Sequence, residues 1–185
     1  MRWPADATAN LQNNHFPAVV SGPIPTNWVT LAVWGAHMAQ IERIVLNVQT
    51  GKLSGAGTDG YVYLGVCGRE FSINTTHDDF ERESTRNYIL GAGSNVTNSS
   101  FNDPRKQRLF VENVESFPVY IRFQPQNGSD DWQLHRASVR FNDDVFPAWD
   151  TASFVLNDPT EGIWLGTRSG LVVHLPKQLE NATLR

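Results

Sequence analysis

Residues 43–66, RIVLNVQTGKLSGAGTDGYVYLGV, hold two apolar alternations separated by a glycine-rich loop. Ile44, Leu46 and Val48 recur at spacing two before the loop, and Val62, Leu64 and Val66 do so after it. Side chains two apart share a face of a strand, so each run predicts a strand with one buried face, joined to the other by the loop. The spacing recurs along the chain at Phe71-Ile73, Tyr88-Leu90, Val119-Ile121-Phe123, Ala137-Val139-Phe141, Phe154-Leu156 and Leu171-Val173-Leu175. Turn-forming segments such as NTTHDD (74–79), PQNGSDD (125–131) and NDPTEG (157–162) separate these runs. Eight short alternating runs without a long helical window predict an all-β fold, an eight-stranded antiparallel β-sandwich. No repeat of 20 to 50 residues is visible, which excludes a propeller or solenoid.

The flanks read differently. Residues 1–25 carry four prolines and no sustained period. Residues 26–40 fit a helix through Trp28, Leu31, Ala32 and Ala39, or a strand through Val29, Leu31 and Val33, with helix slightly favoured. The expected layout is an N-terminal arm and short apolar segment over 1–41, a sandwich over 42–176 and a tail over 177–185.

Length and charge narrow the function. A chain of 185 residues suits one domain. Its 19 acidic against 15 basic residues give a net charge of −4, with lysine only at 52, 106 and 177. Neither a phosphate-capturing field nor a polybasic membrane anchor is present, so nucleic acid is excluded as the expected partner. One cysteine, Cys67, allows no disulfide framework and no cysteine-based zinc site. The longest apolar stretch, 28–38, is too short to span a bilayer, and no classical signal peptide is recognisable. The expectation leans to a soluble protein, cytoplasmic or peripherally bound to a membrane. No Gly-x-Ser-x-Gly elbow occurs, and His15, His37, His77, His135 and His174 lack metal-ligand spacing, so no catalytic residue is assigned. Five Asn-x-Ser/Thr triplets, at Asn74, Asn95, Asn98, Asn127 and Asn181, read as turn chemistry.

Acidic residues gather in the turns: Asp59 in the glycine-rich loop, and the doublets Asp78-Asp79, Asp130-Asp131 and Asp143-Asp144. Adjacent carboxylates repel, so a doublet is tolerated when solvated and favoured when a cation sits between its oxygens. Calcium is the natural candidate, because it takes six to eight oxygen ligands from carboxylates and backbone carbonyls. On spacing alone, solvated turn acids and a calcium site both stand.

The chain resembles the PLAT/LH2 family, a β-sandwich module of lipoxygenases, pancreatic-type lipases, polycystins and the C-terminal domain of clostridial alpha-toxin. The resemblance rests on Thr50-Gly51, the block Ala56-Gly57-Thr58-Asp59, the strand Tyr61-Val62-Tyr63-Leu64, the step Asp78-Asp79-Phe80, Trp132 after PQNGSDD, and Trp164-Leu165. It covers about residues 42–176 and implies calcium as cofactor. Carried over by position, one ion would take the carbonyl of Gly57, the side chain of Asp130 and the carbonyl of Asp131. A second would take Thr58, Asp59, Asn74, Thr75, His77 through its carbonyl, and Asp79. Gly55 stands where calcium-binding relatives often carry an acid, which removes a carboxylate from the first set. Trp132 and Trp164 match core positions of the family. Phe146 and Trp149, in a longer connection, are the candidate membrane or partner contacts.

The function expected from these readings is a non-catalytic module that binds calcium through its loops and docks to a lipid or membrane surface or to a protein. The alternatives are an assembly subunit using residues 1–41 for oligomer or partner contacts, and a small lipid-acting enzyme.

Overall fold

In the computed structural model, described here over residues 38–142, 149–151 and 160–178, every alternating run inside those segments overlaps a strand. The run Phe154-Leu156 lies outside the described residues, as do residues 1–37 of the expected arm. Nine strands are present among the described residues: β1 Arg43–Thr50, β2 Tyr61–Val66, β3 Arg69–Ser72, β4 Thr85–Gly91, β5 Tyr120–Gln124, β6 Trp132–Phe141, β7 Trp149–Asp150, β8 Ile163–Leu165 and β9 Val172–His174. They form two antiparallel sheets, one ordered β4-β1-β6-β7 with β8 also on β6, the other β3-β2-β5-β9. The fold is a β-sandwich.

The alternation that predicts the strands also fills the space between the sheets. Ile44, Leu46, Tyr88, Leu90, Val139 and Phe141 of the first sheet are buried, as are Val62, Leu64, Phe71, Ile121 and Phe123 of the second. Register keeps them in layers: Leu46 pairs with Tyr88 and Val139, and Leu64 pairs with Phe71 and Ile121. Trp132 fills one end, edge-on to Phe80 at 5.4 Å between ring centroids and tilted against Phe123 at 5.9 Å.

Two strands escaped the sequence pattern. β7 and β8 have two and three residues, too few to show a period, and both pair with β6. β6 accommodates them along one edge, with β8 on Trp132 to Leu134 and β7 on Ser138 and Val139. Opposite Gln49 and Thr50, β6 carries one extra residue, His135, a bulge between the two partners. Residues 39–41 already belong to the body: Ile41 is fully buried, its N–H donates to the Leu109 carbonyl at 2.8 Å, and Val111 donates to Ala39 at 2.9 Å. Cys67 and Gly68 form the β2–β3 turn at φ 52° and 73°, the left-handed pair that a two-residue hairpin needs. Burial pushes the Cys67 thiol above its ordinary range, against a reactive role.

On the outer face of the second sheet, Glu70 accepts the Arg122 Nε–H and an Nη2–H, at 2.6 and 2.7 Å, and the Tyr120 hydroxyl at 3.1 Å. The Arg122 bonds hold the Glu70 carboxyl below its usual range. A lowered carboxyl contributes stability above its unfolded value of about 4.3 and loses it as pH falls through the folded value. Urea denaturation at pH 5 and pH 3 should show Glu70→Gln losing less stability than wild type over that interval. The difference should be about 0.5–1 kcal/mol, because the pair is partly solvated. Trp132→Ala, which empties the end of the core, should cost about 3–5 kcal/mol in the same experiment.

Candidate metal centre

Strand directions gather the acidic turns at one end. β1 reaches that end at Thr50 and β2 returns from it at Tyr61; Gln49 pairs with Thr85, Tyr61 with Gln124, and Trp132 with Leu165. The loops 51–60, 73–84, 125–131 and 166–171 therefore crowd one rim.

The Ala-Gly-Thr-Asp block is stitched to both neighbouring loops. The Ala56 carbonyl accepts the Gln133 N–H at 3.0 Å, and Thr58 N–H donates to the Phe80 carbonyl at 3.3 Å. The Thr58 hydroxyl donates to Asp130 Oδ1 at 2.7 Å and accepts the Gly60 N–H at 2.8 Å. Gly57 must be glycine, because a Cβ there would stand 2.9 Å from the Arg82 backbone nitrogen. Phe80, at φ 62°, holds a left-handed conformation that costs a bulky residue about 1–2 kcal/mol. Its ring, stacked on Tyr88 at 5.3 Å and against Trp132, fixes that turn and with it the residues on either side.

Asp59, Asp78 and Glu81 meet on this rim. All three are exposed, and one carboxylate oxygen from each lies within 4.8 Å of the others. Asp59 and Glu81 also line an open cleft of about 420 Å³ with Gly57, Thr58, Arg82 and Asp130. Like charges at that separation repel by about 1 kcal/mol per pair in water, and a cation between them reverses the sign. The donors are hard oxygens without sulfur or nitrogen, the chemistry of calcium or magnesium rather than a softer metal. The trio can hold a metal ion.

The second expected ligand set is arranged differently from its positional assignment. Thr58 and Asp59 are at the rim, but Asp79 is 7 % exposed and its carboxylate is engaged internally. It accepts the Thr75 N–H at 2.6 Å, the Thr75 hydroxyl at 2.9 Å, and Arg86 and the Tyr88 hydroxyl at 3.3 Å each. Burial first, then the Asp79 charge, pushes the Tyr88 phenol far up, so it stays a neutral donor. His77 N–H donates to the Thr75 hydroxyl at 3.1 Å, and the Asn74 carbonyl accepts the Thr97 N–H at 2.7 Å. Residues 74–79 thus brace one another around Asp79, while Asp78 projects to the rim. Asp78 was read only as half of an acidic doublet, outside both expected ligand sets, and Glu81 was missed altogether. Its signal was the Asp-x-x-Glu spacing from Asp78 across a tight turn.

In the first set, Gly57 and Asp130 both reach the cleft. Asp130 Oδ2 also accepts the Gln126 N–H at 2.8 Å. The Asp131 carboxylate turns the other way, filling the space that a side chain on Gly166 would need. The expected contact through Trp149 requires correction: the ring is 7 % exposed and packs edge-on to Phe141 at 5.4 Å, so it is a core residue. Phe146 and the doublet Asp143-Asp144 lie outside the described residues. Among the described residues, exposed apolar side chains in or beside the rim loops are Leu53, Tyr61 and Leu171.

The sandwich has counterparts among solved structures. Alpha toxin from Clostridium absonum superposes with a TM-score of 0.53 over 76% of this chain at 18% identity. Clostridium perfringens alpha-toxin from avian strain SWCP gives 0.50 over 74% at 19% identity. In each case the match covers 32% of the toxin, so the chain spans about a third of the length of either protein. At these identities the likeness is one of fold. No family model and no curated protein matches the chain.

Two neighbouring aspartates should answer oppositely to neutralisation. Asp79→Asn should lower stability in urea by about 1–3 kcal/mol, because it weakens a buried acceptor of four hydrogen bonds. Asp78→Asn should leave stability unchanged or raise it by a few tenths, because it removes repulsion at a solvated rim.

Proposed function

We propose that the chain is a calcium-binding docking module of PLAT type that attaches to a lipid surface through the rim carrying Asp59, Asp78 and Glu81. The observation that carries this reading is the convergence of these three carboxylates beside a cleft lined by Gly57, Thr58 and Asp130. Exposed rim acids without a cation leave mutual repulsion unrelieved, and calcium accepts such a mixed, flexible oxygen set. The PLAT/LH2 resemblance supports the same end of the sandwich, and the likeness to alpha-toxin structures agrees with that resemblance at the level of fold.

Lipid is the favoured surface because of what borders the acids. Leu53, Tyr61 and Leu171 are 40, 50 and 40 % exposed in or beside the rim loops. No described helix is long and apolar enough to cross a membrane, so attachment through these residues would be superficial. Completing the burial of each such side chain contributes on the order of 1 kcal/mol. That is weak singly and useful together, provided charge repulsion is removed. Three rim carboxylates repel an anionic surface, whereas one bound divalent ion lowers their sum to a single negative charge.

Calorimetric titration of chelator-treated protein with calcium should give saturable heat at micromolar to millimolar concentrations, weakened at least tenfold by Glu81→Gln and by Asp59→Asn. Co-sedimentation with phosphatidylcholine/phosphatidylserine vesicles should require calcium and should fall with Leu171→Ser. Absence of heat up to 5 mM calcium would sink the metal reading, and equal pelleting in chelator would sink the calcium-dependent docking.

A further inference from the structure

We infer that the outer face of the four-stranded sheet, which shares Tyr61 with the rim but needs no metal, binds neutral carbohydrate chains. Strand alternation turns Glu70, Tyr61, Tyr63, Tyr120, Arg122 and His174 outward on this face. These side chains hold one another in place. The Arg122 guanidinium lies 4.0 Å from the centre of the Tyr63 ring while its Nε and Nη2 donate to Glu70. The Tyr120 hydroxyl donates to the same carboxylate, and its ring meets His174 edge-on at 6.0 Å. Gly65 makes the arrangement possible, because any Cβ there would fall within the Tyr120 ring. The ring consequently lies down across the sheet.

Three properties of the face select the ligand. Its arginine is neutralised by a bidentate carboxylate, in a chain of net charge −4, so nucleic acid and anionic lipid find no field to hold them. The Tyr120 ring covers Gly65, so the middle of the face leaves no hollow for a compact apolar ligand or a hot-spot side chain. The face combines the Tyr61 and Tyr120 rings with fixed donors and acceptors at their margins, one side of Tyr63 being covered by Arg122. A sugar ring is the neutral ligand that matches all three, with weakly positive C–H bonds for the ring faces and hydroxyls for the carboxylate, guanidinium and imidazole. Prior fixing of the side chains lowers the ordering cost of binding. From Tyr61 to the level of Tyr120, which pairs with Gly65, the face runs about 13 Å along the strands, a length suited to several linked sugars rather than one.

Affinity electrophoresis in native gels containing laminarin, xylan, galactomannan or dextran, all run with EDTA, tests the face separately from the metal rim. The expected result is retardation by at least one of these neutral polysaccharides, unchanged in 0.5 M NaCl. Arg122→Ala and Tyr120→Ala should weaken it at least tenfold, and Tyr61→Ala severalfold. Tyr61 is half exposed, so its variant should keep the wild-type urea midpoint and report on binding alone. Retardation by none of the four polymers, binding that survives all three substitutions, or salt-sensitive binding confined to poly(dT) or phosphatidylserine vesicles would each overturn the assignment. Failure of calcium binding would leave these gels unaffected.

Discussion

Three rim loops depend on one buried hydroxyl. Thr50 ends β1, and its oxygen accepts the Trp132 indole N–H at 3.1 Å while donating to the Phe80 carbonyl at 3.3 Å. Trp132 opens β6 after the 125–131 loop, and Phe80 lies in the turn that presents Asp78 and Glu81. The Phe80 carbonyl also takes the Thr58 N–H, which ties in the glycine-rich loop. Unsatisfied, a buried indole N–H would cost about 1–3 kcal/mol, comparable with the left-handed backbone that Phe80 adopts. Core packing and rim geometry are therefore one arrangement: the rings that close the sandwich also set where the acids stand.

Spacing two was a reliable guide where a strand was long enough to show it and one of its faces was buried. β1, β2, β4, β5 and β6 meet both conditions. β7 and β8 have too few residues for a period, and they exist because β6 has an edge to offer on either side of its bulge at His135. Turn chemistry was equally legible. The Asn95 amide accepts the Ile89 N–H at 2.7 Å and donates to the Asn87 carbonyl at 2.8 Å, and Asn127 accepts the Ser129 N–H at 3.0 Å. Both side chains serve local backbone, which is why asparagine stands there.

The rim was legible as a place more than as a list of ligands. Asp59 and Asp130 stand where the glycine-rich loop and the tryptophan step put them. The doublet Asp78-Asp79 could not reveal which member faces out, since adjacent residues in a turn diverge and only packing decides. Tyr88, Arg86 and Thr75 converge on Asp79 from β4 and from its own loop, and that convergence is tertiary. Trp149 teaches the same point from the opposite direction. Lying in a long connection made it look like surface, yet Phe141 and β6 supply a site that buries it.

The Asp79 clamp also bears on timing. Because its hydrogen bonds come from Thr75, Arg86 and Tyr88, the 74–81 turn is shaped by the protein alone. A cation reaching Asp59, Asp78 and Glu81 would meet a prearranged seat and would have little backbone left to order. Its arrival would change the potential at that end of the molecule without changing the shape, so attachment and release could follow ion concentration as quickly as ions exchange.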